Sequence, residues 1–289
     1  MGREYGARPL CGAPRSAVEA FRSTLSPVEV AVVTGAGRGL GRAIAHRLAG
    51  RGSTVIIGDV DEGAARETAS ELPAGEAFGL DVRDPEACRA AASRAMELGR
   101  LTTWVNNAGV LAPEAESWTQ SSETIERMIG VNLNGVVHGS LAAVQAMRAS
   151  GGQILNVTSM MALDEPYPNI AAYGASKHGA HAFSVSLRQE LEHAGVPIDV
   201  KILCPDRIAT ALCFDNVAES EEELRAGGGL LEPDEVAEAA IALLEGDRKQ
   251  AIIVGGRIER HVPAEMIPAY RRARGVYHRV RRLARPADQ

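Results

Sequence analysis

A chain of 289 residues is long enough to bury a full hydrophobic core and suits one large α/β domain better than two small ones. Its 45% hydrophobic and 24% charged residues are ordinary for a soluble globular protein, and a formal charge of −6 gives no reason to expect a nucleic acid partner. The four cysteines, Cys11, Cys88, Cys204 and Cys213, are scattered with no CxxC pair and no His at ligand spacing. That argues against a disulfide framework and against a metal site, and it fits a reducing cytoplasm.

Residues 1–27 are mostly Gly, Pro, Arg and Ala, and read as a leader with little fixed structure and without the layout of a signal peptide. From there short β-branched runs alternate with Ala-rich segments of helical length. In chain order the expected elements are strand Val28–Val33, helix Gly39–Arg51, strand Thr54–Gly58, helix Glu62–Glu71, strand Ala77–Leu80 and helix Pro85–Gly99. Strand Thr102–Asn106, helix Ser122–Ser150, strand Gln153–Thr158, helix Ala172–Ala194, strand Asp199–Leu203, helix Pro233–Leu244 and strand Ala251–Val254 follow. The strands are brief and apolar with little alternation, the mark of a parallel sheet covered on both faces. Ile129 to Met147 carries no charge and could span a bilayer by length, but Asn132, Asn134, His138 and Gln145 would be costly in lipid, so it reads as a buried helix.

Between Ala211 and Leu231 an insertion holds the acidic run Glu219–Glu223 and Gly227–Gly229. It reads either as a lid beside the site or as a solvated surface helix with a Gly-rich stop. The last segment, residues 263–289, forms a basic amphipathic pattern: Tyr270, Ala273, Tyr277, Val280 and Ala284 recur at helical spacing among seven arginines between 271 and 285. It suits packing on the protein's own acidic surface, on a neighbouring subunit, or on an anionic membrane.

Two motifs carry chemistry. The first is Thr34-Gly35-Ala36-Gly37-Arg38-Gly39-Leu40-Gly41, which joins a strand to a helix start. Glycines let the backbone approach a pyrophosphate, and free N–H groups with the helix dipole favour its charge. Asp59, at the end of the second strand, falls where an acid accepts hydrogen bonds from the adenosine ribose. A 2′-phosphate there would be repelled, so Asp59 predicts NAD over NADP, with Arg38 as the counter-indication. The second motif is Tyr173-Gly174-Ala175-Ser176-Lys177, with Ser159 one loop upstream. Residues four apart share a helix face, so the Lys177 ammonium approaches Tyr173 and favours its phenolate, bringing a phenol of ordinary pKa about 10 toward a working general acid/base.

Taken with Asp81-Val82, Asn106-Asn107-Ala108-Gly109, Asn132 and Pro205…Thr210, these motifs make the chain resemble the short-chain dehydrogenase/reductases over roughly Val28 to Val262. The resemblance implies one Rossmann-like, doubly wound domain over residues 28–262, with a seven-stranded parallel sheet of order 3-2-1-4-5-6-7, and assembly as a homodimer or homotetramer. It implies hydride transfer between NAD(H) and an alcohol or ketone. Tyr173 acts as acid/base, and Lys177 holds the nicotinamide ribose. Ser159 donates to the substrate oxygen, and Asn132 keeps a water linked to Lys177. Gly35, Arg38, Gly39, Leu40, Gly41 and Asp59 would contact the cofactor, as would Asp81 and Val82 at the adenine. Asn107, Ala108 and Gly109 at the fourth strand end join them, with Pro205, Ile208 and Thr210 at the carboxamide.

Two departures stand out. Ser159 lies fourteen residues before Tyr173, one more than expected, and Thr158 is a poorer stand-in because alternation points it away. Asp206 follows Pro205 where the family carries Gly, a turn that Asp would tolerate in a left-handed backbone. Met160, Met161, Leu163, Leu212, Phe214, Val110 and Leu111 would line an apolar substrate space, suiting a hydrophobic alcohol or ketone. NADPH-dependent carbonyl reduction is the nearest rival, and a dinucleotide sensor without turnover the more distant one.

Overall fold

The central strand β1 (Glu29–Thr34) sends Ala31 and Val33 to one face of its sheet and Val30 and Val32 to the other, and all four are fully buried. A strand apolar on both sides needs a cover on both sides, and that requirement sets the architecture. The computed structural model describes residues 28–163, 168–217, 220–226 and 230–253.

Six further strands, β2 (Thr54–Asp59), β3 (Gly75–Gly79), β4 (Arg100–Asn106), β5 (Gly152–Val157), β6 (Ile198–Pro205) and β7 (Gln250–Ile253), complete one parallel sheet of order 3-2-1-4-5-6-7. The helices are α1 (Gly39–Ala49), α2 (Glu62–Ser70), α3 (Pro85–Leu98), α4 (Ser122–Ile129), α5 (Gly135–Met147) and α6 (Ala171–Ala194). The short α7 (Ala211–Phe214) and α8 (Glu221–Ala226) follow, then α9 (Pro233–Glu245). Ile44, Ala65 and Ile241 bring α1, α2 and α9 onto one face, while Ala91, Ala143 and Leu187 bring α3, α5 and α6 onto the other. The chain winds outward from β1 to β3 and then restarts at β4 on the far side of β1. The carboxyl ends of β1 and β4 therefore diverge into the crevice where doubly wound sheets bind ligands.

Local chemistry sets the helix ends. Asp61, Asp84 and Ser121 accept from the N–H groups of Ala64, Glu86 and Thr124 as N-caps. Gly195 ends α6 in a left-handed conformation, φ 66°.

Three readings of the sequence change. The expected helix Ser122–Ser150 stops at Met147, and a π-helical turn at Gly130–Asn134 divides it into α4 and α5. Such a turn inserts one residue per loop of backbone and re-aims the side chains after it. The Ala211–Leu231 insertion, read as a lid or a surface helix, holds two short helices: α7 opens it, and its acidic run lies partly on α8, where Arg225 pairs with Glu221 and Glu232. Asp206 needs no left-handed backbone, because Asn169 is the sole non-glycine with positive φ among the described residues. Its N–H bonds the Ile253 carbonyl at 2.8 Å and simply extends the β6–β7 ladder.

Two buried polar devices hold the layers. The Asn106 amide accepts from Trp104 Nε1 (2.8 Å) and donates to Ser140 and Asn156, and Asn156 donates to Ser184 (2.8 Å), tying β4 and β5 to α5 and α6. Lys201, buried on β6, donates to the carbonyls of Leu243, Leu244 and Gly246 at 2.6–2.9 Å and closes the C-terminus of α9. Helix ends buried without partners are costly. Lys201→Met should therefore lower stability by about 2 kcal/mol, the order of cost for stranded buried carbonyls, read as a lower midpoint in urea unfolding. An unchanged midpoint would show that water satisfies that end.

Among the described residues no helix is long and apolar enough to cross a membrane. The leader, residues 1–27, and the basic C-terminal segment, residues 263–289, lie outside the described residues, as does the end of the proposed domain after Ile253.

Candidate active site

The crevice between β1 and β4 is stitched at its base. The Thr34 hydroxyl accepts from the N–H groups of Asn107 and Ala108, both at 3.0 Å, and the Asn107 side chain donates to the carbonyls of Thr34 and Gly35, also at 3.0 Å. The turn packs so closely that only glycine fits. A Cβ on Gly35 (φ 62°) would lie 2.7 Å from Ala108 Cα, and one on Gly41 would lie 2.3 Å from the Gly35 carbonyl oxygen. Gly39 (φ 55°) faces Thr210 across the crevice, its Cβ position 3.2 Å from Thr210 Cγ2. Leu40 anchors the first turn of α1 in the core, while Arg38 is exposed at its N-cap in extended conformation. No side chain caps this helix start, and its orphan N–H groups suit a pyrophosphate.

Asp59, mostly buried, places Oδ2 at 2.9 Å from the Gly37 N–H and Oδ1 at 3.0 Å from that of Asp61. The Gly37 carbonyl in turn accepts from Thr68 Oγ1 (3.2 Å), a fully buried hydroxyl on α2. Thr68 thus positions the turn from behind, and nothing in the sequence marks it, since a threonine inside a helix is unremarkable by itself. One strand outward, Asp81 lies beyond β3 and binds the Arg83 guanidinium through both oxygens, which holds its carboxyl below the usual carboxylate range. Val82 is buried, with its carbonyl 3.0 Å from His138 Nδ1.

On the other side of the crevice α6 brings Tyr173 and Lys177 together. Lys177 Nζ lies 5.9 Å from the centre of the Tyr173 ring and 3.3 Å from the Val157 carbonyl, and it is within 3.6 Å of a Cβ built on Gly109. Ser159, at the end of β5, hydrogen-bonds the Tyr173 hydroxyl and accepts from the Met161 N–H at 3.1 Å. A 3-10 turn at Met160–Ala162 takes up part of the extra spacing. Thr158 points the other way, toward the Leu203 carbonyl and Cys204 Sγ. Asn132, fully buried in the π-turn, exchanges two hydrogen bonds with the backbone of Val110 (2.8 and 2.9 Å) and donates to Ser176 Oγ, which donates to the Tyr173 carbonyl. Ser176 therefore joins the Asn132 turn to the helix that carries Tyr173, a link the sequence reading missed.

The electrostatics depart from expectation in one respect. Burial pushes the Tyr173 hydroxyl up, the Ser159 hydrogen bond works against that, and the Cys213 thiol adds to it. The ammonium faces the ring rather than the phenol oxygen, so the predicted lowering by Lys177 is absent from the free chain. Burial also brings Lys177 down to about 8.

Pro205 ends β6, and the strip after it pairs with Leu231: Ile208 and Leu231 form an isolated bridge, and the Ala209 N–H bonds the Leu231 carbonyl (2.8 Å). Thr210 opens α7 as its N-cap, its hydroxyl 3.4 Å from the Ile208 carbonyl. The expected apolar lining divides. Met160 and Leu163 pack into a core cluster with Ile202, Cys204 and Ile252, and so do not line substrate space. Met161, Phe214, Val110 and Leu111 remain partly exposed, and Leu212 is exposed. A groove of about 560 Å³ opens at the opposite, N-terminal edge of the sheet, where Arg100 pairs with Glu29 and Lys249 with Asp199, and it holds none of these groups.

Known proteins share this arrangement. The family model described as short chain dehydrogenase matches residues 29–221. The chain is 36% identical over 233 residues to "Probable oxidoreductase EphD" of Mycobacterium tuberculosis, covering 74% of this chain but only 39% of that protein. It is 34% identical to "Cyclohexanol dehydrogenase" of an Acinetobacter species, covering 76% of this chain and 88% of the relative. Among solved structures, a short chain dehydrogenase/reductase from Burkholderia phymatum in complex with NAD superposes with TM-score 0.70 at 28% identity, covering 91% of this chain and 97% of that one. An alcohol dehydrogenase from Thermococcus sibiricus complexed with 5-hydroxy-NADP also reaches 0.70, at 27% identity, over 80% of this chain and 99% of that one. With a matching family model over most of its length and the same seven-stranded order, the chain belongs to the short-chain dehydrogenase/reductase family.

Proposed function

We propose that this protein is an oxidoreductase that moves a hydride between a nicotinamide dinucleotide, NAD(H) in preference to NADP(H), and the carbinol carbon of an apolar secondary alcohol or its ketone. The observation that carries it is the Tyr173 hydroxyl bonded to Ser159, with Lys177 beside it, across the crevice from a glycine turn too tight for any side chain. Bound there, the cofactor supplies or accepts the hydride. The chain's own residues do the rest. The uncapped start of α1, with Gly35, Arg38, Gly39, Leu40 and Gly41, takes the pyrophosphate, and the spare acceptor capacity of Asp59 takes the ribose hydroxyls. Asp81 and Val82 border the base; Asn107, Ala108, Gly109, Pro205, Ile208 and Thr210 border the nicotinamide half. Lys177 donates to the ribose on that half, and Asn132 keeps the neighbouring backbone in place.

In ketone reduction Tyr173 O–H gives its proton to the substrate oxygen while Ser159 donates a hydrogen bond to that oxygen; in alcohol oxidation the Tyr173 oxygen takes the proton back. At its ordinary pKa of about 10 the phenol already holds its proton at neutral pH, and burial makes it a weaker donor in the free chain, so its work as the acid relies on the substrate and cofactor it meets. The partly exposed Met161 and Phe214 and the exposed Leu212 favour an apolar substrate, and cyclohexanol, named for one relative, is a fitting first probe.

The preference for NAD rests on Asp59, whose carboxylate would repel a 2′-phosphate. Arg38, exposed beside it, supports the alternative of NADPH-dependent carbonyl reduction. Asp59→Ala should narrow the NADH-over-NADPH preference by about tenfold, the value of one charged contact of about 1.4 kcal/mol, in Kd from nicotinamide fluorescence. Unchanged selectivity would overturn the assignment and favour Arg38.

A further inference from the structure

We propose that Arg83 is a specificity-determining residue of the base subsite, holding the Asp81 carboxylate so that a purine meets both an acceptor and a guanidinium donor. This rests on the dinucleotide reading above. The resemblance implies Asp81 at the base, and its position in the sheet agrees with that. The glycine turn follows β1, the ribose acid Asp59 ends β2, and the next strand outward is β3. Asp59 is in register with Gly79, and the Leu80 N–H bonds the Asp59 carbonyl at 2.9 Å, so Asp81 stands just past that carboxylate on the same edge of the sheet. A dinucleotide laid outward from the crevice brings its base to this point.

Here the carboxylate is already engaged. Arg83 Nε lies 3.0 Å from both Asp81 oxygens, Arg83 Nη2 lies 2.6 Å from Oδ2, and the Arg83 N–H lies 3.0 Å from Oδ1. The pairing is bidentate, the most directional form of guanidinium–carboxylate contact. The stem of Arg83 rests on Gly130 at the start of the π-turn, where a Cβ would lie 3.3 Å from Arg83 Cδ. A larger residue at 130 would press on that stem. A guanidinium has five N–H donors, and Nε and one N–H of Nη2 are spent on Asp81. The remaining ones belong to a half-exposed side chain and make no other hydrogen bond among the described residues. The edge therefore offers an acceptor to the 6-amino group of adenine and a donor to the 6-oxo group of hypoxanthine.

Without Arg83, the bare carboxylate still accepts from the amino group but repels the oxo group. Discrimination between the two bases should then increase.

The test is calorimetric titration of the full chain with NADH and with reduced nicotinamide hypoxanthine dinucleotide, comparing wild type with Arg83→Met, which keeps the stem over Gly130. The ratio of the two dissociation constants cancels any general loss of positive charge near the pyrophosphate. We expect the preference for NADH to rise about fivefold to tenfold in Arg83→Met, and to fall below the wild-type ratio in Asp81→Asn, which leaves the guanidinium as the dominant group. A ratio within twofold of wild type in both variants, with both ligands still bound, overturns the role of Arg83 and leaves the cofactor reading intact. Failure of wild type to bind either dinucleotide overturns both.

Discussion

Replacing Tyr173 with Phe should reduce kcat with NADH and a ketone by about 10³-fold, within the span of one general acid/base, and leave the Kd for NADH within twofold. The substitution deletes one oxygen. Lys177 keeps its place, since it contacts the ring and the Val157 carbonyl rather than the phenol oxygen. The helix keeps its tie to Asn132, because Ser176 bonds the Tyr173 carbonyl and not its side chain. The variant loses only the proton carrier and the partner of Ser159. Binding measured by nicotinamide fluorescence beside steady-state rates separates the outcomes. Retention of most of the turnover would end the acid/base assignment, and equal loss of binding and rate would point to a collapsed site instead.

Lys177→Met is expected to produce an inactive protein that is more stable than wild type at neutral pH. Burial brings the Lys177 ammonium from its ordinary 10.5 to about 8. At pH 7 the folded chain therefore carries a charge in a place that disfavours it, a penalty of about 3 kcal/mol at about 1.4 kcal/mol per pH unit. Loss of the Val157 hydrogen bond offsets part of this, leaving a gain of about 2 kcal/mol for methionine. The sign follows from proton counting. Below pH 8 lysine is protonated in both states and the penalty is present in full. Between about 8 and 10.5 the unfolded chain holds the proton that the folded chain has lost, so wild type gains stability with rising pH relative to the variant. Above that range the charge penalty is gone and only the lost Val157 hydrogen bond separates the two, in favour of wild type.

Absolute stability is a poor readout here. The buried thiols of Cys88 and Cys204, pushed up to about 12, act in the opposite sense above pH 9. The difference in urea midpoints between variant and wild type removes them. A difference constant from pH 7 to pH 10 would show that the ammonium is not penalised by its surroundings. Such a penalty is what a functional group in a buried site carries, and it explains a lysine where packing alone favours an apolar residue.

The readings that needed only local sequence and those that needed the whole fold differ in kind. The glycine turn, Asp59 and the Tyr173–Lys177 spacing are local patterns: a strand end, a tight turn and four residues on one helix face need only neighbours in the chain. Met160 and Leu163 were read as substrate lining because they follow Ser159, yet they fill core against β6 and β7. Apolar side chains look alike to either destination, and only the arrival of Ile202 and Ile252 from distant strands decides between them. The π-turn at Gly130–Asn134 was invisible for a related reason. It costs backbone hydrogen-bond geometry that no residue type advertises, and it is repaid by Asn132 reaching Val110 and Ser176.

By itself the sequence determined the alternation of strand and helix and the parallel sheet buried on both faces, and it singled out the glycine turn, Asp59 and the Tyr173–Lys177 pair. Those follow from periodicity and steric permission, which act over a few residues. The tertiary structure alone decided that Thr68 braces the turn, that Ser176 links Asn132 to the helix carrying Tyr173, and that Lys177 lies against the Tyr173 ring while burial raises the Tyr173 hydroxyl. Hydrogen-bond partners and desolvation depend on which distant segments share a space, and a pKa responds to that space rather than to the spacing that names the residue.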